Sequence, residues 1–314
     1  MFPNAVQKPE DRVASQLPAL CIIATPGRRR AMIDMAREAE RRGYQGIYVP
    51  SRFSNMSVCE ALAWNTERIV FGTAIAPIYA RTAADYAEAT AFMHEISGGR
   101  FRFGIGVAHA PGHARHGVSV GKPLADTRAF VEKFRAQEQG PQPPVIIAAL
   151  RQKMVALAGD IGDGVVFANA CRSAMQKSLA HLPETRRRDP AFFIGNMIPT
   201  CISDDIEAAK AVNRRTLSSY LQLPNYRNYW KECGYIEEMA AIERAITERR
   251  LDDLPKLMSD KWLADVTLFG SAGRVREELA AWSEAGVRTP IIVASSASGR
   301  QARAIQEVFD AFAG

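Results

Sequence analysis

The 314-residue chain has no CxxC pair. Its five cysteines (Cys21, Cys59, Cys171, Cys201 and Cys233) are odd in number and widely spaced. That leaves neither a zinc ribbon nor a disulfide framework to build on, and reduced, mostly buried thiols are expected. No apolar run is long enough to span a bilayer. The opening stretch "MFPNAVQKPEDRVASQ" is polar and lacks the apolar core of a secretory signal. A soluble cytoplasmic protein without a membrane partner is expected. Internal repeats and low-complexity tracts are also missing.

Acidic residues are in the minority: 34 Asp and Glu against 40 Lys and Arg, for a net charge of +6. A basic balance can mean nucleic acid, but that requires a clustered patch with motif support. Here the arginines are spread along helical stretches such as "RRRAMIDMAREAERR". The triplet at 28–30 opens a helix and the one at 186–188 sits in a linker. No nucleic-acid partner is expected. A small anionic ligand is the better use of the excess charge.

What is present is a rhythm. With 47% hydrophobic residues the chain can bury a sizeable core. Its length suggests two domains, but α/β barrels run this long as one. Short apolar runs alternate with amphipathic helical stretches. Strands are expected at 17–25, 46–50, 68–76, 101–108, 143–150, 164–169, 192–201 and 289–295. "SVCE" (57–60) and "SAMQ" (173–176) fit capping boxes, and Thr82 fits a cap for the helix that runs to about Ile96. Eight continuously apolar strands, each followed by a helix, imply a parallel sheet covered on its outer side and match a (β/α)8 TIM barrel. Residues 203–262 read as entirely helical, an insertion between the seventh and eighth strands. The whole chain, 1–314, reads as one barrel domain with residues 1–16 as an N-terminal extension.

In such a barrel the active site lies at the C-terminal ends of the strands. Those ends hold no Asp/Glu pair, which argues against glycoside hydrolysis. They also lack the lysine or carboxylate–metal cluster of carbanion chemistry. They are small, apolar and rich in backbone, which suits a flat aromatic cofactor that supplies the reactivity. "FGTAIAPIYAR" (71–81) shows this best: small residues end the third strand, Pro77 stops the pairing and Tyr79 stands at the mouth. His109, His113 and His116 raise a rival, a zinc-dependent barrel hydrolase. However, Pro111–Gly112 should break the segment, no acidic ligand is close in sequence, and no metal is expected. His109 ends the fourth strand, where it could transfer a proton or serve as a hydrogen-bonding wall. Tyr226 and Trp230 belong to an aromatic stripe in the insertion that is either core or a cover for substrate. Asn169 ends its strand and could reach a ligand, whereas Asn196, in mid-strand, is expected to point into the barrel.

Three blocks resemble the bacterial luciferase-like superfamily of flavin- and deazaflavin-dependent oxidoreductases: "ERIVFGTAIAPIYARTAADYAEATAFMHEISGGRFRFGIGVAHA" (67–110), "PPVIIAALRQKMVALAGDIGDGVVFAN" (143–169) and "GSAGRVREELAAWSEAGVRTPII" (270–292). The resemblance implies a bulged third strand with a non-prolyl cis peptide at Ala74–Ile75 that backs the cofactor ring. It also implies cofactor contacts at Thr73, Ala74, Ile75, Gly106, Ala108, Ala149, Leu150, Arg151, Lys153 and Asn169, with His109 and Tyr79 as catalytic candidates. Phe53, Tyr79, His109, His113, Tyr226 and Trp230 would line the substrate pocket. Many relatives carry Gly-Pro where this chain has Arg151–Gln152, which bears on how a phosphate would be held. The implied activity is hydride transfer between the deazaflavin coenzyme F-420 and a small, apolar organic substrate. The alternative is oxygenation by reduced FMN and O₂, with a separate flavin reductase as partner. A non-catalytic flavin carrier is a third possibility, and a homodimer is the implied assembly.

Overall fold

Short runs of Val, Ile, Phe and small residues form the strands, each closed by glycine, proline or a polar cluster. The computed structural model describes residues 17–52, 54–137 and 140–313, so the expected N-terminal extension lies outside the described residues. In chain order the strands are β1 (Ala19–Cys21), β2 (Gly46–Val49), β3 (Val70–Thr73), β4 (Ala76–Pro77), β5 (Phe101–Gly106), β6 (Val145–Ala148), β7 (Gly164–Ala168), β8 (Phe193–Ile202), β9 (Leu268–Gly270) and β10 (Thr289–Ser295). Every ladder is parallel. The sheet runs β10–β1–β2–β3–β5–β6–β7–β8, and β8 pairs back to β10. With β3 and β4 sharing one position, the sheet closes as the expected eight-position barrel.

The two-residue period of a strand separates two cores. Ala19, Cys21, Tyr48, Ala74, Ile146, Val166 and Ile291 fill the interior. Leu20, Ile47, Phe71, Phe103, Ile147, Phe167 and Ile198 pack outward under the helices. Asn196 shares the parity of Ile194 and Ile198, so it points outward. This corrects the expectation that it enters the barrel. It is fully buried there, and neither of its amide atoms has a partner among the described residues.

The third strand is not continuous as expected. It divides into β3 and β4, and the bond between their linking residues, Ala74–Ile75, is cis. Glycine makes room for this path. A Cβ on Gly72 would lie 2.3 Å from the Arg102 carbonyl oxygen, and one on Gly104 would lie 1.8 Å from that of Thr73. Thr73 Oγ1 closes the gap by donating to the Gly104 carbonyl at 2.6 Å.

The entry to β3 is held by two long side chains. Glu40, on helix Arg29–Arg42, accepts the backbone N–H groups of Glu67, Arg68 and Ile69 at 2.9, 2.6 and 2.8 Å. Arg100, in the "SGGR" turn, donates to the carbonyls of Ala63, Thr66, Ile69 and Ser97. Partial burial works against a charged Glu40, but the three backbone donors outweigh it and hold the group below the usual carboxylate range. Its contribution is therefore present above the unfolded value, about pH 4.3, and is lost as pH falls through the lower folded value. Glu40→Ala should cost about 2 kcal/mol at neutral pH. Denaturant titrations should show that gap narrowing below pH 4.

Between β8 and β10 lie helices Ile206–Leu221, Pro224–Glu232, Ile236–Thr247 and Asp260–Val266, with a 3₁₀ segment at Leu251–Leu257. β9 was not foreseen. Three residues are too few to show a period, and they extend the sheet by pairing with Thr200–Ile202. Thr82 caps helix Ala83–Ile96 as expected, accepting the Asp85 N–H. The other two caps are corrected. Helix Asn55–Asn65 begins before Ser57, with Ser54 as an N-cap that makes no side-chain bond. Ser173 gives its hydroxyl to the Asp265 carboxylate at 2.6 Å, a stronger acceptor than any backbone group within its reach. Among the described residues no helix is long and apolar enough to cross a membrane.

Candidate active site

At the C-terminal ends of the strands the interior core opens. Ile23, Ile75, Ala148, Met197 and Val293 are half-buried there and pack on the interior cluster, giving an apolar floor. Gly106 lies under it: a Cβ there would sit 3.0 Å from Ala148 Cβ and 3.1 Å from Ile75 Cγ1. The cis bond Ala74–Ile75 borders this floor, and Ile75's carbonyl accepts Asn55 Nδ2 at 3.1 Å. Asn55 opens helix Asn55–Asn65, where nothing in the sequence marked it as a partner of the third strand.

Two groups stand on one side of the floor. Ala108 takes a left-handed conformation (φ 56°) and Asn169 takes another (φ 54°). Pro111 does not break the histidine segment as expected. It occupies the first turn of helix Ala110–His116, where its missing N–H costs nothing, and His109 is the N-cap. The half-buried His109 ring lies 5.5 Å from the Tyr226 ring. Burial, and then the neighbouring His113, lower its pKa, so the neutral imidazole is favoured. His113 itself bonds the Val107 carbonyl and meets the Tyr79 ring edge-on at 5.8 Å. Tyr79 donates its hydroxyl to Asp126 at 2.7 Å. Burial and that carboxylate push its pKa up, so the phenol keeps its proton. Asp126 is the second residue the sequence reading missed, being set on helix Pro123–Arg135 far along the chain.

The insertion closes the other side. Tyr226 is buried against Tyr220 at 5.1 Å and Trp230 at 5.4 Å. Trp230 is fully buried, stacks edge-on against Trp262 at 4.8 Å, and donates Nε1 to the Asn169 carbonyl at 3.1 Å. Asn169 donates its own N–H to Met197. Its buried Nδ2 lies beside the Tyr220 and Tyr226 phenols without a well-aligned bond to either.

The remaining expected contacts divide. Ala149 is buried and Leu150 half-buried at the end of β6. Arg151 is the N-cap of helix Gln152–Ile161, but its guanidinium Nε is paired with Glu232 at 2.8 Å. Its charge is thus shared with the insertion. Lys153 is exposed in that helix's first turn, and Thr73 has spent its hydroxyl on β5. Phe53 lies outside the described residues. Among the described residues, no three His, Cys, Asp or Glu side chains are placed to hold a metal ion. A cavity of about 600 Å³, bordered by Arg29, Arg30, Arg37 and Ser57, lies between helices Arg29–Arg42 and Asn55–Asn65. The first arginine triplet therefore lies outside the floor.

Taken together, the mouth offers an apolar platform, one buried amide donor that has no well-aligned acceptor among the described residues, and a neutral imidazole at its rim. It can seat a flat ring and move a proton at its edge. Known proteins share this architecture. Residues 16–289 match the family model described as luciferase-like monooxygenase. A Mycobacterium tuberculosis protein carrying the name coenzyme F-420-dependent oxidoreductase is 24% identical, over 84% of this chain and 90% of its own length. The 5,10-methylenetetrahydromethanopterin reductase of Archaeoglobus fulgidus is 25% identical, over 85% of this chain and 90% of its own length. Among solved structures, the coenzyme F-420-dependent tetrahydromethanopterin reductase of Methanopyrus kandleri superposes with a TM-score of 0.74 at 16% identity, covering 94% of this chain and 97% of that one.

Proposed function

This chain belongs to the luciferase-like monooxygenase family, and on that premise we propose an oxidoreductase that moves hydride between the deazaflavin coenzyme F-420 and a small apolar organic substrate. The observation that supports it is the apolar floor beside the Asn169 amide, whose buried Nδ2 has no well-aligned acceptor among the described residues. A buried donor left without an acceptor costs about 1–3 kcal/mol, and a ring heteroatom or carbonyl laid on the floor would relieve it. The residues present fit such a group. Ile23, Ile75, Ala148, Met197 and Val293 would hold its face, and Asn169 Nδ2 would donate to its edge. Gly106 keeps the floor flat, because any side chain there meets Ile75 and Ala148. When bound, the deazaflavin supplies the hydride acceptor or donor.

His109 completes the chemistry. An alcohol losing hydride must also lose its hydroxyl proton, and a neutral imidazole Nε2 or Nδ1 is a competent acceptor. In the reverse direction the same nitrogen returns it. Tyr79, fixed by Asp126, keeps its proton and walls the site. Tyr226 and Trp230 exclude water from above Asn169. The names of the relatives favour the deazaflavin. The family's own description favours a second reading, oxygenation with reduced FMN and O₂ fed by a separate reductase.

Turnover separates them. Under anaerobic conditions, a panel of small secondary alcohols should bleach oxidised F-420 in the presence of the enzyme, with no requirement for O₂. Product formation only with reduced FMN and O₂ would replace this reading with the second.

The Asn169 donor can be tested separately. Glycine accepts φ 54° without cost, so Asn169→Gly removes the amide and preserves the backbone. Cofactor affinity should weaken about tenfold, the value of one buried hydrogen bond. The melting temperature should hold or rise, because a buried donor without a well-aligned acceptor is removed.

A further inference from the structure

The first arginine triplet has no task at the barrel mouth, and its charge is not spent within the chain. The later arginines of helix Arg29–Arg42 all have partners. Arg37 donates to the Asn65 carbonyl and side-chain oxygens at 3.1 and 2.8 Å, and Arg41 and Arg42 both pair with Glu38. Arg29 and Arg30 are exposed, and neither makes an ion pair or side-chain hydrogen bond among the described residues. Asp34, one turn along from Arg30, lies instead 3.9 Å from Arg37.

Both unpaired arginines line the cavity of about 600 Å³ between this helix and helix Asn55–Asn65. Ser54 and Ser57 border it too, and their hydroxyls likewise have no partner among the described residues. Ile33, Val58 and Ala61 give it an apolar wall. The cavity is separate from the floor. Ala24, which also lines it, shares the parity of Leu20 and Ile22, which pack outward, whereas Ile23 between them belongs to the floor.

Two uncompensated guanidinium groups on the wall of one cavity concentrate positive potential there. The guanidinium fork matches the oxygens of phosphate or carboxylate. The donor set favours phosphate: a monoester carries up to two negative charges and three terminal oxygens, enough for two cations and two hydroxyls. A carboxylate has one charge and two oxygens. The volume lies in the range that accepts a small organic molecule, and a bare anion would leave the apolar wall in water. We propose that Arg29, Arg30, Ser54 and Ser57 bind the phosphate group of a small organic phosphate monoester, whose apolar body lies against Ile33, Val58 and Ala61.

The test is calorimetric titration of the full-length protein with phenyl phosphate at low salt. Saturable binding of one equivalent is expected, weakening as salt is added. Inorganic phosphate should bind more weakly, because it leaves the apolar wall uncovered, and benzyl alcohol should not bind. Arg29→Gln and Arg30→Gln change exposed side chains and should leave the melting temperature in place. Each should weaken phenyl phosphate by about tenfold or more, the value of a charge-assisted hydrogen bond. Ala61→Leu keeps every charge but fills the wall, so it should abolish the advantage of phenyl phosphate over inorganic phosphate. Lys153→Ala, at the end of β6, should change nothing. Absence of saturable binding, binding that both arginine variants leave intact, equal affinity for phenyl and inorganic phosphate in the wild type, or loss of binding in Lys153→Ala would each overturn the proposal. The titration needs no cofactor, so its outcome is independent of the assignment of the barrel mouth.

Discussion

Gly104→Ala should destabilise the barrel by more than about 3 kcal/mol, at or above the upper range for overpacking. The added Cβ would lie 1.8 Å from the Thr73 carbonyl oxygen and 2.9 Å from its carbonyl carbon. Both are backbone atoms, so no rotamer change relieves the collision. Strand β5 must move away from β3, and two other features depend on that spacing. Thr73 Oγ1 would lose its bond to the Gly104 carbonyl. Ile78 N–H, bonded to the Gly106 carbonyl at 3.0 Å, would lose its register. Gly106→Ala is the informative companion. Its Cβ meets only side chains, at 3.0 Å or more, so the fold should survive while the floor is raised. Denaturant unfolding should therefore show a large loss for the first variant and a small one for the second. Cofactor binding should be lost in both.

His109→Asn should lower kcat by about 10²-fold or more, the range for removing a general acid–base group. Asparagine is a favoured N-cap, so helix Ala110–His116 keeps its start. The amide cannot take up a proton near neutrality. Cofactor affinity should change little, because the floor and Asn169 are untouched. The pH profile tests the assignment further. Burial lowers the His109 pKa in the folded protein, so the wild-type rate should hold through pH 6.5 and fall only as pH drops through the lower folded value. The variant's residual rate should lack that limb. A merely structural wall residue would leave the profile unchanged.

These two variants mark what was legible in the chain. The broken third strand was foreseeable in outline, because "FGTAIAP" carries small residues and a proline where a strand should continue, and the resemblance placed the cis bond at Ala74–Ile75, where it is found; the close approach of Gly104 to the Thr73 backbone was not. The barrel followed from continuous apolar runs that only a doubly covered parallel sheet produces. The partners of the site were not legible. Asp126 reaches Tyr79 across 47 residues and Glu232 reaches Arg151 across 81, and no local pattern encodes such pairings. Asn196 misled because a polar residue in mid-strand suggests a ligand, whereas parity with Ile194 and Ile198 turns it outward. Pro111 misled because proline breaks helices everywhere except in their first turn. Ser173 resembled a cap, but a buried carboxylate from a distant helix outcompeted the backbone.

The central claim, that the barrel mouth is a deazaflavin site, is tested most directly by titrating the purified protein with oxidised F-420 and, in parallel, with FMN. The intrinsic fluorescence of Trp230, which touches Asn169 and Tyr226, is the readout, and Trp230→Phe identifies its share of the signal. Saturable quenching by F-420, weaker for FMN and weakened about tenfold by Asn169→Gly, is the predicted result. Absence of saturable quenching by either cofactor, or F-420 binding that Asn169→Gly and Gly106→Ala leave intact, would contradict it.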